Sequence, residues 1–279
     1  MINEEEGVLV LLDTPPGLGL VLDLYEWTAG EHFLGVKRVP PGPHLCVVKQ
    51  RDGVATQHFW WWAGGTQPNA SAWCWSADRA EFVAVAAEEG LRAADPRRLG
   101  EYAREQLDQW RELTRHVAAV PGGPSMPRPT VARRRGHDRT AELEAVGREA
   151  ALGWLEAAFA EFSLGQVAES FELWRELLLL GCGSVAALRR APDWCASFCG
   201  AAARQLRAAG PELVWQEERG RNQLLHAVSE LVRDVRGDAE LPPGLQRAAA
   251  DLAQAVPQED DADEDGPVIV PENELCDAC

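Results

Sequence analysis

The chain has 279 residues, 44 of them acidic and 27 basic, a formal net charge of -17, and 46% hydrophobic residues. That length admits one large domain or two ordinary ones, and the apolar content is enough for packed cores. The acidic balance argues against binding a nucleic-acid backbone or an anionic membrane surface, where affinity comes from Lys and Arg, and so favours protein partners or small molecules.

The first segment, MINEEEG, is acidic where a secretory signal is basic, and no run reaches the ~18 apolar residues of a membrane span. These features predict a soluble intracellular protein. The seven cysteines (46, 74, 182, 195, 199, 276 and 279) have no framework spacing and are expected to be reduced. From Gly7 to about Phe82 short runs of strand formers alternate with turn clusters. VLVLL (8–12) is closed by DTPPG, and LGLVLDL (18–24) by TAGEH. FLGVKRV (33–39) ends at PPG, and HLCVVKQ (44–50) at RDG. HFWWWAG (58–64) and SAWCWSA (71–77) follow. A turn every 8–12 residues is the spacing of a sandwich or barrel built mainly of antiparallel strands.

The period changes near residue 82. Pro96 suits a first helical turn, and Leu99, Tyr102, Leu107, Trp110 and Leu113 are spaced to share a helical face. Residues 121–140, PGGPSMPRPTVARRRGHDRT, break all periodicity and read as an exposed linker. From Ala141 to about Val256 the composition is helical, with helices predicted at 140–162, 166–180, 193–209, 211–235 and 243–256. Thr140 is placed as the cap of the first, Gly165, Gly181 and Gly183 as ends and turns, and Pro192 and Pro211 as helix starts. Val167, Phe171, Trp174, Leu177 and Leu178 would share one face of the second helix. Residues 258–279 open with a carboxylate block and close with PVIVPENELCDAC; this segment is expected to be a disordered acidic tail with one β-forming strip, Pro267, Val268, Ile269, Val270 and Pro271. The domains expected are thus 1–120 (β-rich, ending in a helix), 121–140 (linker), 141–257 (all-helical) and 258–279 (tail). The fold class is α+β, a β-sandwich-like domain followed by an all-α one.

Little in the chain points to catalysis. There is no G-x-S-x-G elbow, no Gly-rich phosphate loop and no dinucleotide fingerprint. Cys276 and Cys279 form a single C-x-x-C pair, where a closed zinc site needs two pairs; Cys195 and Cys199 share a helix face as buried apolar thiols commonly do. The six histidines are dispersed. No cofactor and no metal are expected. The tryptophans at 60–62, 73 and 75 read as filling between two sheets, with a ligand platform as the alternative, and three in a row place at least one on the outer face. The terminal strip has no place in a helical core; such segments commonly bind by adding a strand to a partner's sheet edge, and docking back on its own domain is the alternative.

Two segments resemble one family. PPGLGLVLDLYEWTAGEHFLGVKRVPPGPH (15–44) is similar to the AAR-two splicing-factor family, assembly factors of the U5 spliceosomal snRNP. The matching residues are Pro15–Gly17, Asp23, Trp27, Gly30, the run Phe33, Gly35, Val36 and Lys37, and the run Val39, Pro40, Pro41, Gly42 and His44. AFAEFSLGQVAESFELWRELLLLGC (158–182) resembles the family's helical signature through Phe162, Leu164, Gly165, Phe171, Glu172, Trp174, Leu177 and Leu178. Trp75–Ser76, the helix ending near Trp110, and Pro267–Val270 are further echoes. The resemblance implies a β-sandwich-like domain joined to a helical one, and no enzymatic activity. It implies binding to the large central scaffold protein of the spliceosome through that protein's RNase H-like and Jab1/MPN-like domains, delaying the U5 helicase during snRNP assembly and hence serving mRNA splicing. No direct nucleic-acid and no membrane contact is implied. The cytoplasm is the expected location, with the nucleus second. Family linkers and tails add strands to partner sheets, and phosphorylation can release the factor; here Ser125 and Thr130 are the linker's candidate phosphosites and Pro267–Pro271 the candidate tail strand. The linker departs from the family in being short and proline-rich. Two rival readings are a TPR-like helical adaptor, which would need a ~34-residue repeat that the chain lacks, and a Trp-rich ligand-binding module.

Overall fold

The structure is a computed structural model and describes residues 6–64, 69–131, 138–209 and 223–256. Its N-terminal part is a sandwich of two sheets. Strands β1 (Gly7–Leu12), β4 (Gly35–Val39), β7 (Ala70–Ser76), β8 (Glu81–Val85) and β9 (Gly100–Glu101) form one, in the order β8-β7-β1-β4-β9. Strands β2 (Gly19–Leu22), β3 (Tyr25–Thr28), β5 (Gly42–Lys49) and β6 (Ala55–Ala63) form the other, in the order β3-β2-β5-β6. Pairings are antiparallel except β1 with β7 and β4 with β9.

Alternation along each strand assigns the side chains to layers. Leu9 and Leu11 of β1, Cys46 and Val48 of β5, and Phe59 and Trp61 of β6 fill the space between the sheets. Leu45 and Val47 of β5 and Trp60 of β6 face the opposite way, yet they too are buried. Both faces of the four-stranded sheet are therefore covered, which is why HLCVV reads as a continuous apolar run. Gly35 has φ of +128°, and a Cβ there would lie 2.0 Å from the carbonyl oxygen of Leu9. No other residue lets β4 lie this close against β1.

The six apolar runs of the first 77 residues all form strands; β3, β8 and β9 are additional. The helix expected from Pro96 through Leu113 is corrected. Pro96–Arg98 make one 3-10 turn, with Asp95 accepting the amide of Arg97. Gly100–Glu101 then pair with Val36 and Lys37 as β9, and only α2 (Leu107–Leu113) is helical. Leu99 packs on the outer side of the five-stranded sheet while Tyr102 packs between the sheets, so the two cannot share a helical face. A short helix, α1 (Ala87–Ala93), covers part of that outer side.

The C-terminal part is helical: α3 (Thr140–Val146), α4 (Arg148–Gly165), α5 (Ala168–Cys182), α6 (Ala187–Arg190), α7 (Pro192–Ala209), α8 (Gln223–Gly237) and α9 (Pro243–Ala255). The helix predicted over 140–162 is broken at Gly147, whose φ of +85° no helix holds. Thr140 is not the cap. It is instead the first residue of α3, and Arg139 stands at the cap position; Asp138, one residue earlier, accepts from the Thr140 amide and hydroxyl at 3.1 and 2.6 Å and from the Ala186 amide at 3.3 Å. Gly181 lies inside α5 rather than at its end, because the Phe198 ring needs the room: a Cβ there would meet it at 2.3 Å. Gln166, in the left-handed conformation, ends α4. Pro192 starts α7 as expected, whereas Pro211 and the first half of the helix predicted over 211–235 lie outside the described residues. Trp174, Leu177 and Leu178 are buried in the helical core, with Phe159, Phe162 and Phe171 around Trp174. No helix of the described residues is long and apolar enough to cross a membrane.

Candidate functional site: a domain junction and its strap

Helix α4 is apolar on nearly every side, so it must be enclosed by protein. One side packs on α5 in the helical core; the other lies on the outer face of the four-stranded sheet. There Ala157 and Ala160 meet Val21, Leu45, Val47, Trp60, Trp110 and Val117. Two carboxylates, Glu156 and Glu161, are carried into this contact and are almost wholly buried. Buried charge persists only when paired and hydrogen-bonded.

Each carboxylate takes a donor from the N-terminal part, and further ones from its own side of the junction or the connecting segment. Glu161 accepts the Trp60 indole N–H at 2.8 Å, the Ser170 hydroxyl at 2.6 Å and the Arg128 guanidinium at 2.8 Å. Arg128 also donates to the Ser170 hydroxyl oxygen at 2.8 Å. Glu156 accepts the His116 amide at 2.6 Å and the His116 ring Nδ1–H at 2.8 Å, with Arg204 of α7 at 4.0 Å. Burial pushes the Glu156 carboxyl above its ordinary value, against the opposing pull of His116 and Arg204. Trp110 stacks on Trp60 at 6.0 Å and donates its indole N–H to the Pro43 carbonyl.

Arg128 belongs to the segment between the two parts, which is not a loose tether over its first half. Pro124 is buried, Gly123 lies against the Trp62 ring and Val131 packs against the helical core. Residues 121–131 form no strand, and they strap the junction. Ser125 and Thr130 are exposed on that strap, on either side of Arg128. The candidate tail strand, Pro267, Val268, Ile269, Val270 and Pro271, lies outside the described residues, as do Cys276 and Cys279.

The motif at 15–44 builds a second polar knot. Asp23, at φ +57°, turns the chain between β2 and β3. Its Oδ1 accepts the Leu45 amide at 3.0 Å, and its Oδ2 accepts the Tyr102 hydroxyl at 2.6 Å and faces His44 Nδ1 at 2.7 Å. His44 Nε2–H donates to the Pro40 carbonyl at 2.7 Å. This carboxylate–imidazole pair is the nearest thing to an acid–base couple in the sandwich. It is sealed at 1% exposure with Nε2 bonded to backbone, so it ties strands together and presents nothing to a substrate. Burial, and the Asp23 charge beside it, raise the Tyr102 phenol well above its usual range.

The tryptophans sort by strand parity. Trp61 fills the sandwich at 5% exposure and Trp60 the junction at 7%, while Trp62, at 40%, is the outward one. Trp73 stacks on Phe59 at 3.9 Å. These positions make them layer filling rather than an open aromatic cleft. Cys195 and Cys199 are buried, their thiols pushed up to about 12 by desolvation, and so are unreactive. Among the described residues no group of three or more His, Cys, Asp or Glu is placed to hold a metal ion.

Sequence reasoning missed Glu156, Glu161, His116 and Arg128. A signal existed for the two glutamates: acids inside AALGWLEAAFAEF, a helix too apolar to expose, need partners wherever the fold puts them. His116 and Arg128 carried none, because their partners lie 40 and 33 residues away.

No curated protein matches the chain. Two family models do. The AAR2 N-terminal domain matches residues 5–133 and the AAR2 C-terminal repeat region residues 101–260, in the same order as the sandwich and the helical part. On this match the chain belongs to the AAR2 family, whose members are assembly factors rather than enzymes.

Proposed function

We propose that this protein is a non-enzymatic assembly chaperone of the U5 snRNP. It binds the large spliceosomal scaffold protein through that protein's RNase H-like and Jab1/MPN-like domains and delays association of the helicase. The observation that carries this reading is the match to both AAR2 models in order, spanning residues 5–260. The junction supports it. Two carboxylates and a strap join the sandwich and the helical part into one body, as suits a protein that holds two domains of a partner in a set relation. The strip Pro267–Pro271 is the strand offered to a partner sheet edge. Its acidic spacer gives it reach without affinity for RNA. The site of action is the cytoplasm, with the nucleus second.

The test is a pull-down with the scaffold's RNase H-like and Jab1/MPN-like fragments. A complex at micromolar concentration is expected, and its absence overturns the reading. Replacing Val268, Ile269 and Val270 by Asp should weaken the complex at least tenfold. Unchanged affinity would remove the tail from the interface.

A further inference from the structure

The last two helices, α8 and α9, leave a groove of about 550 Å³ between them. Its floor is apolar, made by Val228 and Val232 of α8 and by Ala253 and Val256 at the end of α9. Its rim is basic: Arg233 and Arg236 stand three positions apart on α8, both exposed, and Arg233 pairs with Glu230 of its own helix. The groove ends at Val256, the last residue before the 23-residue tail 257–279. That tail carries nine acids and no base, and its one aliphatic run is Val268–Val270, with Asp265 before it and Glu272 after it.

We infer that this groove is the seat of the chain's own terminal strip. Val268, Ile269 and Val270 lie over the valine floor, and the flanking carboxylates face Arg233 and Arg236. Three observations select this occupant over another. The groove opens where the tail begins, so no long path is needed. The ten residues 257–266 extend to about 33–36 Å, several times the pitch of a helical turn. Charge is complementary on both sides of the apolar contact, because the tail is wholly acidic and the rim carries two arginines. The tether also holds the strip at an effective concentration of the order of millimolar, so that a shallow apolar seat is enough. Docking in this way covers β-branched side chains and backbone that would otherwise template association with other chains. The inference stands on the groove and the tail alone, and holds whether or not the scaffold protein is the partner.

Amide hydrogen exchange on the full-length protein, without partner, tests it. The amides of Val268, Ile269 and Val270 should exchange at least tenfold slower than in a free peptide of residues 257–279. Protection should disappear in the full-length variant V268D/I269D/V270D and in R233E/R236E, and weaken in 1 M salt as charge pairing is screened. Arg233 and Arg236 are exposed, so their reversal leaves thermal unfolding unchanged and the loss of protection reports docking. Free-peptide exchange rates in the wild-type chain would overturn the inference. So would protection that grows with protein concentration, which assigns the groove to a second copy, or protection that arises only when a scaffold fragment is added.

Discussion

Glu161 holds three donors from three segments: Trp60 on β6, Arg128 on the strap and Ser170 on α5. Truncating it leaves the Trp60 indole and the Ser170 hydroxyl without this acceptor and Arg128 with the Ser170 oxygen alone. The change Glu161→Ala is therefore expected to cost about 2–3 kcal/mol, read by urea unfolding. A loss below ~0.5 kcal/mol would mean that water replaces the carboxylate. Glu156 gives a pH signature. Its carboxyl titrates above its ordinary 4.5 in the folded state, so between that value and the raised one the native protein holds a proton that the unfolded chain has released. Stability from this group falls as pH rises through that window. Glu156→Gln abolishes this fall, so the wild type should lose ground to the variant as pH rises above 4.5; a difference that is flat in pH contradicts it. Asp138 works in the opposite sense. Burial raises its pKa, the hydrogen bonds from Thr140 and Ala186 outweigh that, and its carboxyl titrates below 3.8. Its contribution is complete above 3.8 and is lost as pH falls through the lowered value.

At the scale of elements, α4 sits on the 3-10 turn Val117–Ala119 through Gly153. A Cβ there would lie 2.5 Å from the His116 carbonyl oxygen and 3.0 Å from a Val120 methyl. Helix propensity favours alanine at this position by about 1 kcal/mol, while forcing a backbone apart costs about 1–3 kcal/mol. Gly153→Ala should therefore lower stability, and a raised melting temperature would show that the turn yields. Elements were legible wherever a local period survived. The six apolar runs and most of the helices follow from alternation and composition. The failures have one physical cause. Tyr102 was assigned to a helix because its spacing from Leu99 and Trp110 is helical, whereas it lies between the sheets with its hydroxyl on Asp23, 79 residues away. Gly181 reads as a terminator from the sequence, whereas it lies one residue inside the end of α5, where the Phe198 ring presses against it.

At the scale of the molecule, the sandwich and the helical part share one apolar contact. Trp60, Trp110 and Val47 are buried there together with Ala157 and Ala160 of α4. The two parts should therefore unfold together. Tryptophan fluorescence, weighted to the sandwich, and far-ultraviolet ellipticity, weighted to the helices, are expected to give one coincident denaturant transition. Ala160→Asp places an unpaired charge in that contact and should separate the two curves; coincident curves in the variant would mean that the polar clamps alone couple the domains.

The sequence by itself determined the α+β class, the order of sandwich and helices, and the family, because strand alternation, helical composition and two contiguous motifs are local properties of the chain. Twelve of its 44 acidic residues lie at Glu4–Glu6 and in 258–279, so it also showed that the body, with 32 acids against 27 bases, is only mildly acidic. Only the tertiary structure decided which tryptophan faces outward, that Asp23 and His44 close a knot rather than a reactive pair, and that Arg128 converts the first half of a proline-rich linker into a strap. Each of these depends on two groups far apart in sequence meeting in a low-dielectric interior, where a buried charge or N–H must find a partner and no local pattern names which one.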